Sequence, residues 1–210
     1  MIQTEEEARE FIKALAGEGA VEKLEKLATL LTAENKSQNL VSQASMQHVW
    51  TRHFADSAQI VRFASNPKGR WLDLGSGAGF PGLVVAICCP DALVTLVESR
   101  KRRVDWLARM KNVLDLANCV IEGRRLELVE TSQADVITAR AFAPLAKLVG
   151  FAHRFSHKDT IWILPKGRSA GEEIAKMPRA VAKMFHVEQS LTDRDAKIIV
   201  GQGLPERSGS

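Results

Sequence analysis

Two carboxylates and a run of glycines supply the most specific chemistry in this chain. Residues 71–82 read WLDLGSGAGFPG: an apolar run carrying Asp73, then Gly75-Ser76-Gly77-Ala78-Gly79, then Phe80-Pro81-Gly82. An apolar segment follows, so the pattern predicts a buried strand, a glycine-rich turn, and a helix whose first turn holds Pro81, where a missing N–H costs nothing. Glycine lets backbone come close to a ligand, having no Cβ and tolerating positive φ. Glu98 ends the next apolar run, Leu93-Val94-Thr95-Leu96-Val97. Such a turn, with an acid after the neighbouring strand, is suited to a nucleotide-like cofactor.

The register of the turn selects the cofactor. Gly77, Gly79 and Gly82 satisfy the dinucleotide spacing G-x-G-x-x-G, with Glu98 near the distance expected of a ribose-binding acid. That register would push Gly75 and Ser76 into the strand, where glycine weakens the ladder. Ending the strand at Leu74 instead puts Asp73 one residue before the turn. A carboxylate there opposes a pyrophosphate, which wants N–H donors and no negative charge nearby, but suits a ligand carrying an ammonium and a sulfonium. The pattern LDLGSGAG resembles the first motif of the class I S-adenosylmethionine methyltransferases, and Glu98 then resembles their acid that accepts both ribose hydroxyls. The resemblance implies S-adenosyl-L-methionine as cofactor and an α/β, Rossmann-like, mostly parallel sheet with helices on both faces. An NAD-dependent oxidoreductase built on Gly77, Gly79 and Gly82 is the competing reading.

Length and charge frame these residues. A chain of 210 residues fits one substantial domain with a small appendage. Its 29 basic and 25 acidic residues leave a net charge of +4, compatible with a nucleic-acid substrate without demanding one. The acidic start, Thr4-Glu5-Glu6-Glu7, lacks the pattern of a signal peptide, and no run reaches membrane-spanning length. The expectation is a cytoplasmic protein with reduced, buried Cys88, Cys89 and Cys119, no metal site and no membrane partner.

The elements divide into a helical region over 1–66, a Rossmann-like domain over 67–202 and a mobile tail over 203–210. Thr4 with Glu7 forms a capping box. A second helix runs from about Val21 to Ala33, followed by a polar connection, Asn35 to Asn39, and a third helix capped by Ser45. From Arg70 onward strands and helices alternate, as in a parallel sheet covered on both faces. The strands are expected at 71–74, 92–98, 119–121, 134–138 and 160–164, with a final hairpin from Met184-Phe185-His186-Val187 and Lys197-Ile198-Ile199-Val200.

In open α/β sheets ligands bind beyond the carboxyl ends of the strands. After the third strand comes Glu122-Gly123-Arg124-Arg125-Leu126-Glu127, an adenine-side loop. After the fourth comes Ala139-Arg140-Ala141-Phe142-Ala143-Pro144, and after the fifth Pro165-Lys166-Gly167, placing Arg140 and Lys166 at the rim of the cofactor site. The Asn/Asp-Pro-Pro-aromatic tetrapeptide of adenine amino methyltransferases is missing here. The cysteines fall in a helix or on a strand, away from the loop where a cytosine-carbon methyltransferase needs its nucleophile. What remains favours a target with its own lone pair, such as guanine N7, for which positioning supplies most of the catalysis. The basic run Arg100-Lys101-Arg102-Arg103 reads as a solvated helix start, and Trp50, Trp71, Trp106 and Trp162 read as core.

Four segments in order carry a closer resemblance: His48-Val49-Trp50-Thr51-Arg52-His53-Phe54-Ala55-Asp56-Ser57, the glycine turn with Phe80-Pro81-Gly82, Arg140-Ala141-Phe142-Ala143, and Leu164-Pro165-Lys166-Gly167. Together they resemble the bacterial 16S ribosomal RNA guanine-N7 methyltransferases, the glucose-inhibited division protein B family, over roughly residues 24–200. The resemblance implies methyl transfer from S-adenosylmethionine to N7 of one guanine in a decoding-region hairpin loop, within a small-subunit particle, by a monomer. It implies cofactor contacts at Asp73, Gly75, Gly77, Phe80, Glu98, Arg140 and the pair Leu126-Glu127, with Arg125-Leu126 as the alternative register. His53, Asp56 and Ser57 match the N-terminal signature, and Arg140, Lys166 and His53 are the expected substrate-positioning residues. Glu34 departs from the family's usual tryptophan before Asn35, a difference that bears on loop packing. Two further readings stand beside it: a non-catalytic RNA-binding module with a vestigial pocket, and a small-molecule methyltransferase.

Overall fold

The computed structural model of the protein describes residues 1–205. Thr4 caps α1 (Glu5–Ala16), its hydroxyl accepting from the Glu7 N–H while the Glu7 carboxylate accepts from the Thr4 N–H. Gly17 ends α1, and α2 (Glu18–Gln38) follows at once. The polar stretch expected as a connection is the last turn of α2. Asn35 is buried there, and its amide exchanges hydrogen bonds with both the N–H and C=O of Val41. Asn39, in the left-handed region at φ 39°, then ends the helix.

The third helical stretch begins earlier than expected, with Ser42 rather than Ser45 as cap of α3 (Gln43–Met46). The chain then widens into a π-helical turn, Trp50–Ala55, continues as α4 (Asp56–Ala58), and tightens into a 3-10 turn, Gln59–Phe63. Glu5 holds the wide turn: its carboxylate accepts from the Trp50 and Thr51 N–H groups and from the Thr51 hydroxyl. Single-turn π segments leave backbone donors without their usual partners and recur at functional sites.

Alternation of strand and helix begins with β1 (Arg70–Leu74), α5 (Gly82–Cys88), β2 (Leu93–Val97), α6 (Lys101–Val113), β3 (Cys119–Glu122) and β4 (Val136–Thr138). It continues with α7 (Leu145–Ala152), β5 (Ile161–Lys166), α8 (Ala170–Ala175), α9 (Arg179–Ala182), β6 (Phe185–Gln189) and β7 (Lys197–Gln202). The seven-stranded sheet has the order β3-β2-β1-β4-β5-β7-β6, parallel from β3 to β5 and antiparallel at β7 and β6. β5 runs past the expected Leu164 through Pro165 and Lys166, because β7 pairs with it as far as Lys166↔Lys197. β4 pairs no further than Ile163, so Pro165 lies where β5 has become an edge on that side, a position proline tolerates. α8 and α9 occupy the stretch between the fifth strand and the final hairpin, where no element is expected from periodicity.

Apolar side chains fill both faces of the sheet. On one face α1, α2, the π turn, α5 and α6 bury Leu24, Leu27, Phe54, Leu83 and Trp106; on the other, α7 and α8 meet Trp162, Phe155 and Leu148. All four tryptophans are buried, as their apolar settings suggested. Cys88 and Cys119 are buried free thiols and Cys89 is half-buried, with burial pushing them up to about 12, about 12 and about 11 respectively. Gly203 is held by its N–H to Thr160 and by the Trp162 indole on its carbonyl. Residues 206–210 of the expected mobile tail lie outside the described residues.

Candidate active site

In this strand order the direction of winding reverses between β1 and β4, and ligands of open α/β sheets settle in the crevice at that reversal. The two loops that meet there are the glycine turn after β1 and the Arg140–Pro144 loop after β4. β1 ends at Leu74, and the Gly75 and Ser76 N–H groups both donate to the Val97 carbonyl of β2. Gly75 has φ 67°, and a Cβ added to it would stand 2.4 Å from the Phe142 ring. Only glycine fits under that ring. Pro81 stands at the N-cap of α5, just before the first turn in which it was expected.

Glu98 is held by three backbone N–H groups. Its Oε2 accepts from the Gly77 N–H at 3.0 Å, and its Oε1 accepts from Ser99 and Arg100 N–H at 2.8 and 2.9 Å. Arg103 lies 3.8 Å from Oε2. These donors fix the plane of a carboxylate that is only 6% exposed, and each charged hydrogen bond of this kind contributes roughly 1.5–3 kcal/mol. Glu98 borders a cavity of about 460 Å³ whose walls include Gly75, Leu126, Glu127, Arg125 and Phe142. That volume lies within the range of small-molecule sites, roughly 300–1,000 Å³. A rigid acid at the mouth, apolar Leu126 on one side and bare glycine backbone on the other fit an adenosine-bearing cofactor such as S-adenosylmethionine. Both registers of the adenine-side pair touch this cavity, since Arg125, Leu126 and Glu127 all line it.

Asp73 lies under the turn, away from the cavity surface. It is fully buried; Oδ2 accepts from the Gly82 N–H at 3.1 Å, while Oδ1 has no partner. Burial pushes its carboxyl up to about 6, outweighing the Gly82 N–H. A Cβ on Gly82 would stand 2.6 Å from Oδ2, so Gly82 is required for this contact. The same contact argues against the dinucleotide reading, because the helix N–H a pyrophosphate would take is already occupied by a carboxylate.

Arg140 joins the two halves of the chain. Its guanidinium donates to Asp56 Oδ2 at 3.3 Å, to the Arg52 carbonyl at 3.3 Å and to His53 Nδ1 at 3.1 Å. It also lies 5.1 Å from the Phe80 ring centroid, and His53 stacks on the other part of that ring at 4.9 Å and 10°. Burial lowers Arg140 against the opposing pull of Asp56. His53 is pushed down to about 3 by burial, with Arg140 and Arg52 acting in the same direction. A neutral His53 that accepts at Nδ1 must carry its proton on Nε2, which lies 3.0 Å from the Ser45 hydroxyl. Asp56 is itself held on Oδ1 by Gln59 and Thr192, so the N-terminal signature and the β6–β7 turn converge on one guanidinium.

Lys166 stands apart from that cluster. Its Nζ donates to the Ala143 carbonyl and to Glu173 Oε2, each at 2.8 Å, which ties β5 to the loop after β4. Burial acts to raise Glu173, but Lys166 and the Leu145 N–H outweigh it and leave the carboxyl lowered. Arg140 and Lys166 both border a second cavity of about 630 Å³, the outer one, which shares Ala141 and Phe142 with the first, the inner one. They were expected as exposed rim charges; their side chains are 22% and 12% exposed, and both are paired within the fold. The expected set is therefore distributed over three places. Gly75, Glu98, Leu126 and Glu127 line the inner cavity, Arg140 and Lys166 the outer one, and Phe80 and His53 are packed behind Arg140. Gly77 reaches the site through Glu98. Phe142, absent from the expected site residues, lines both cavities. The basic run is partly engaged, with Arg102 donating to the Ser37 carbonyl and Arg103 facing the inner cavity.

Among the described residues no helix is long and apolar enough to cross a membrane, and no group of three or more His, Cys, Asp or Glu is placed to hold a metal. Solved structures with the same architecture include an S-adenosylmethionine-dependent methyltransferase from Aquifex aeolicus, TM-score 0.59 at 12% identity, covering 80% of this chain and 96% of that one. Another is fibrillarin from Aeropyrum pernix with natively bound S-adenosyl-L-methionine, TM-score 0.55 at 18% identity over 72% of this chain and 75% of that one. These likenesses establish the class I S-adenosylmethionine-dependent methyltransferase fold, here preceded by helices. The sequence goes further: residues 20–198 match the GidB model, rRNA small subunit methyltransferase G, and the chain belongs to that family. The ribosomal RNA small subunit methyltransferase G of Erythrobacter litoralis is 53% identical, with 97% of this chain and 98% of that one aligned. Its counterpart from Rhizorhabdus wittichii is 47% identical over 99% of this chain and 96% of that one.

Proposed function

We propose that this protein methylates N7 of one guanine in a decoding-region loop of 16S ribosomal RNA, using S-adenosylmethionine. The observation that carries the reading is the pair of cavities sharing the Ala141-Phe142 wall, one with Glu98 and the glycine turn, the other with Arg140 and Lys166. S-adenosylmethionine supplies a methyl group on a positively charged sulfur. Glu98 would accept the ribose hydroxyls, Gly75 and Gly77 would present backbone, Leu126 and Glu127 would flank the adenine, and Asp73 would set a negative charge beneath the turn. Arg140 and Lys166 orient the substrate, and His53, with both ring nitrogens engaged, positions Arg140. Guanine N7 has its own lone pair, so no residue has to remove a proton, and alignment of the two reactants supplies most of the rate.

With a net charge of only +4 the protein has limited electrostatic reach, so a shaped ribonucleoprotein surface is the preferred substrate over a short hairpin. The proposal places it in the cytoplasm, as a monomer acting on the small-subunit particle. Mapping N7-methylguanine in 16S rRNA from cells with and without the gene tests it: one modified guanine should vanish and return on complementation. An unchanged modification pattern would refute the function.

A further inference from the structure

Ala141 and Phe142 line both the inner and the outer cavity. Ala141 holds φ 53°, a left-handed conformation that is strained for a residue with a Cβ. Strain of this sort persists where the surroundings impose it, commonly at ligand sites. Here Lys166 imposes it from one side by holding the Ala143 carbonyl, and Arg140 from the other by its bonds to Asp56 and His53. Between these two anchors Phe142 is turned outward. At 36% exposure it is the most open Phe or Trp among the described residues, while all four tryptophans are buried. Its ring lies over Gly75, so one part of it covers the glycine turn and the rest faces the outer cavity.

An aromatic face beside a paired lysine and arginine matches the chemistry of an unstacked base, since base–aromatic stacking is sequence-tolerant and cations supply direction. We propose that Phe142 is the stacking platform for the target base in the outer cavity, and that Lys166 selects guanine by donating to its O6. Guanine presents N7 and O6 side by side as acceptors. N7 must stay free to react, so on that edge O6 is the acceptor left to bind. Two of the three Lys166 N–H bonds are spent on Ala143 and Glu173, and the third remains for O6. This inference rests on the proposed guanine-N7 reading and names the residues that would hold that base.

The test has one arm that does not depend on methyl transfer. Full-length protein is first saturated with S-adenosylhomocysteine to fill the cofactor cavity, then titrated with the fluorescent base analogue 2-aminopurine riboside 5′-monophosphate. Wild type and Phe142→Tyr should quench the probe saturably, and Phe142→Leu should lose the quenching while keeping its melting temperature. In the second arm, on small-subunit particles, Phe142→Leu should lower kcat/KM by roughly 5- to 100-fold, with Phe142→Tyr restoring it and S-adenosylmethionine affinity falling by far less than kcat/KM. The proposal is overturned by no saturable quenching with wild type, by equal quenching with Phe142→Leu, or by a cofactor affinity that falls as far as kcat/KM. If wild type transfers no methyl to any particle, the guanine-N7 reading fails, and the quenching arm still decides whether Phe142 stacks a base.

Discussion

Replacing Asp73 with asparagine should make this protein more stable at neutral pH and less able to bind its cofactor. The side chain is fully buried, with Oδ2 on the Gly82 N–H and Oδ1 without a partner. Burial raises its carboxyl from 3.8 to about 6. A group whose folded value is raised binds its proton more tightly in the native state, so stability falls as pH rises through the interval from about 4 to about 6. Above that interval the full cost of the buried charge is present, about 3 kcal/mol at 1.36 kcal/mol per decade. Asparagine keeps an oxygen for Gly82 and replaces one unpartnered atom by another, so the comparison isolates the charge. Urea unfolding of both proteins from pH 4.5 to 7.5 should show a difference that is small at the acid end and grows to about 3 kcal/mol at neutrality. In thermal melts at pH 7.5 the variant should gain roughly 6–12 °C for a chain of this size. A difference that is flat with pH, or a variant less stable at pH 7 than at pH 5 relative to wild type, would refute the reasoning.

Glu98→Gln should lower S-adenosylmethionine affinity about 10- to 100-fold by calorimetry, the equivalent of roughly 1.5–3 kcal/mol for a lost charged acceptor; unchanged affinity would remove Glu98 from the site. Lys166→Met should cost about 1–3 kcal/mol in urea unfolding, because it leaves the half-buried Glu173 without its cation, and should also slow methylation of small-subunit particles. His53→Asn, which offers Arg140 another acceptor, should retain more activity than His53→Ala, and neither should move the pH–rate profile near 6.5, since wild-type His53 is held neutral down to about 3. Methylation of the particle should exceed that of the bare hairpin and fall as salt rises, through release of counterions from phosphate contacts.

Local patterns were legible and distant pairings were not. The end of β1 at Leu74 followed from where glycine weakens a strand, and the Thr4–Glu7 box from its spacing. The parallel direction of the strands through β5 followed from the alternation of elements, whereas their order in the sheet did not. Asn35 misled because its polarity suggests a connection, whereas its bonds to Val41 lie beyond the helix it extends. The π turn depends on Glu5, 45 residues before Trp50. Arg140 was placed at the site by its position after β4. Its partners Arg52, His53 and Asp56 lie more than 80 residues earlier, a distance over which periodicity says nothing. The signal for Phe142 was present: an aromatic residue in the loop after β4, outside any apolar period and bracketed by Arg140 and Pro144.

The most direct measurement is methyl transfer by the purified protein to small-subunit particles that lack the modification, followed by mapping of N7-methylguanine along the 16S rRNA. The account predicts one guanine, in a decoding-region loop, methylated by wild type and far more slowly by Glu98→Gln at the same cofactor concentration. Methylation at another atom, at many scattered guanines, or at equal rates by the two proteins would contradict it.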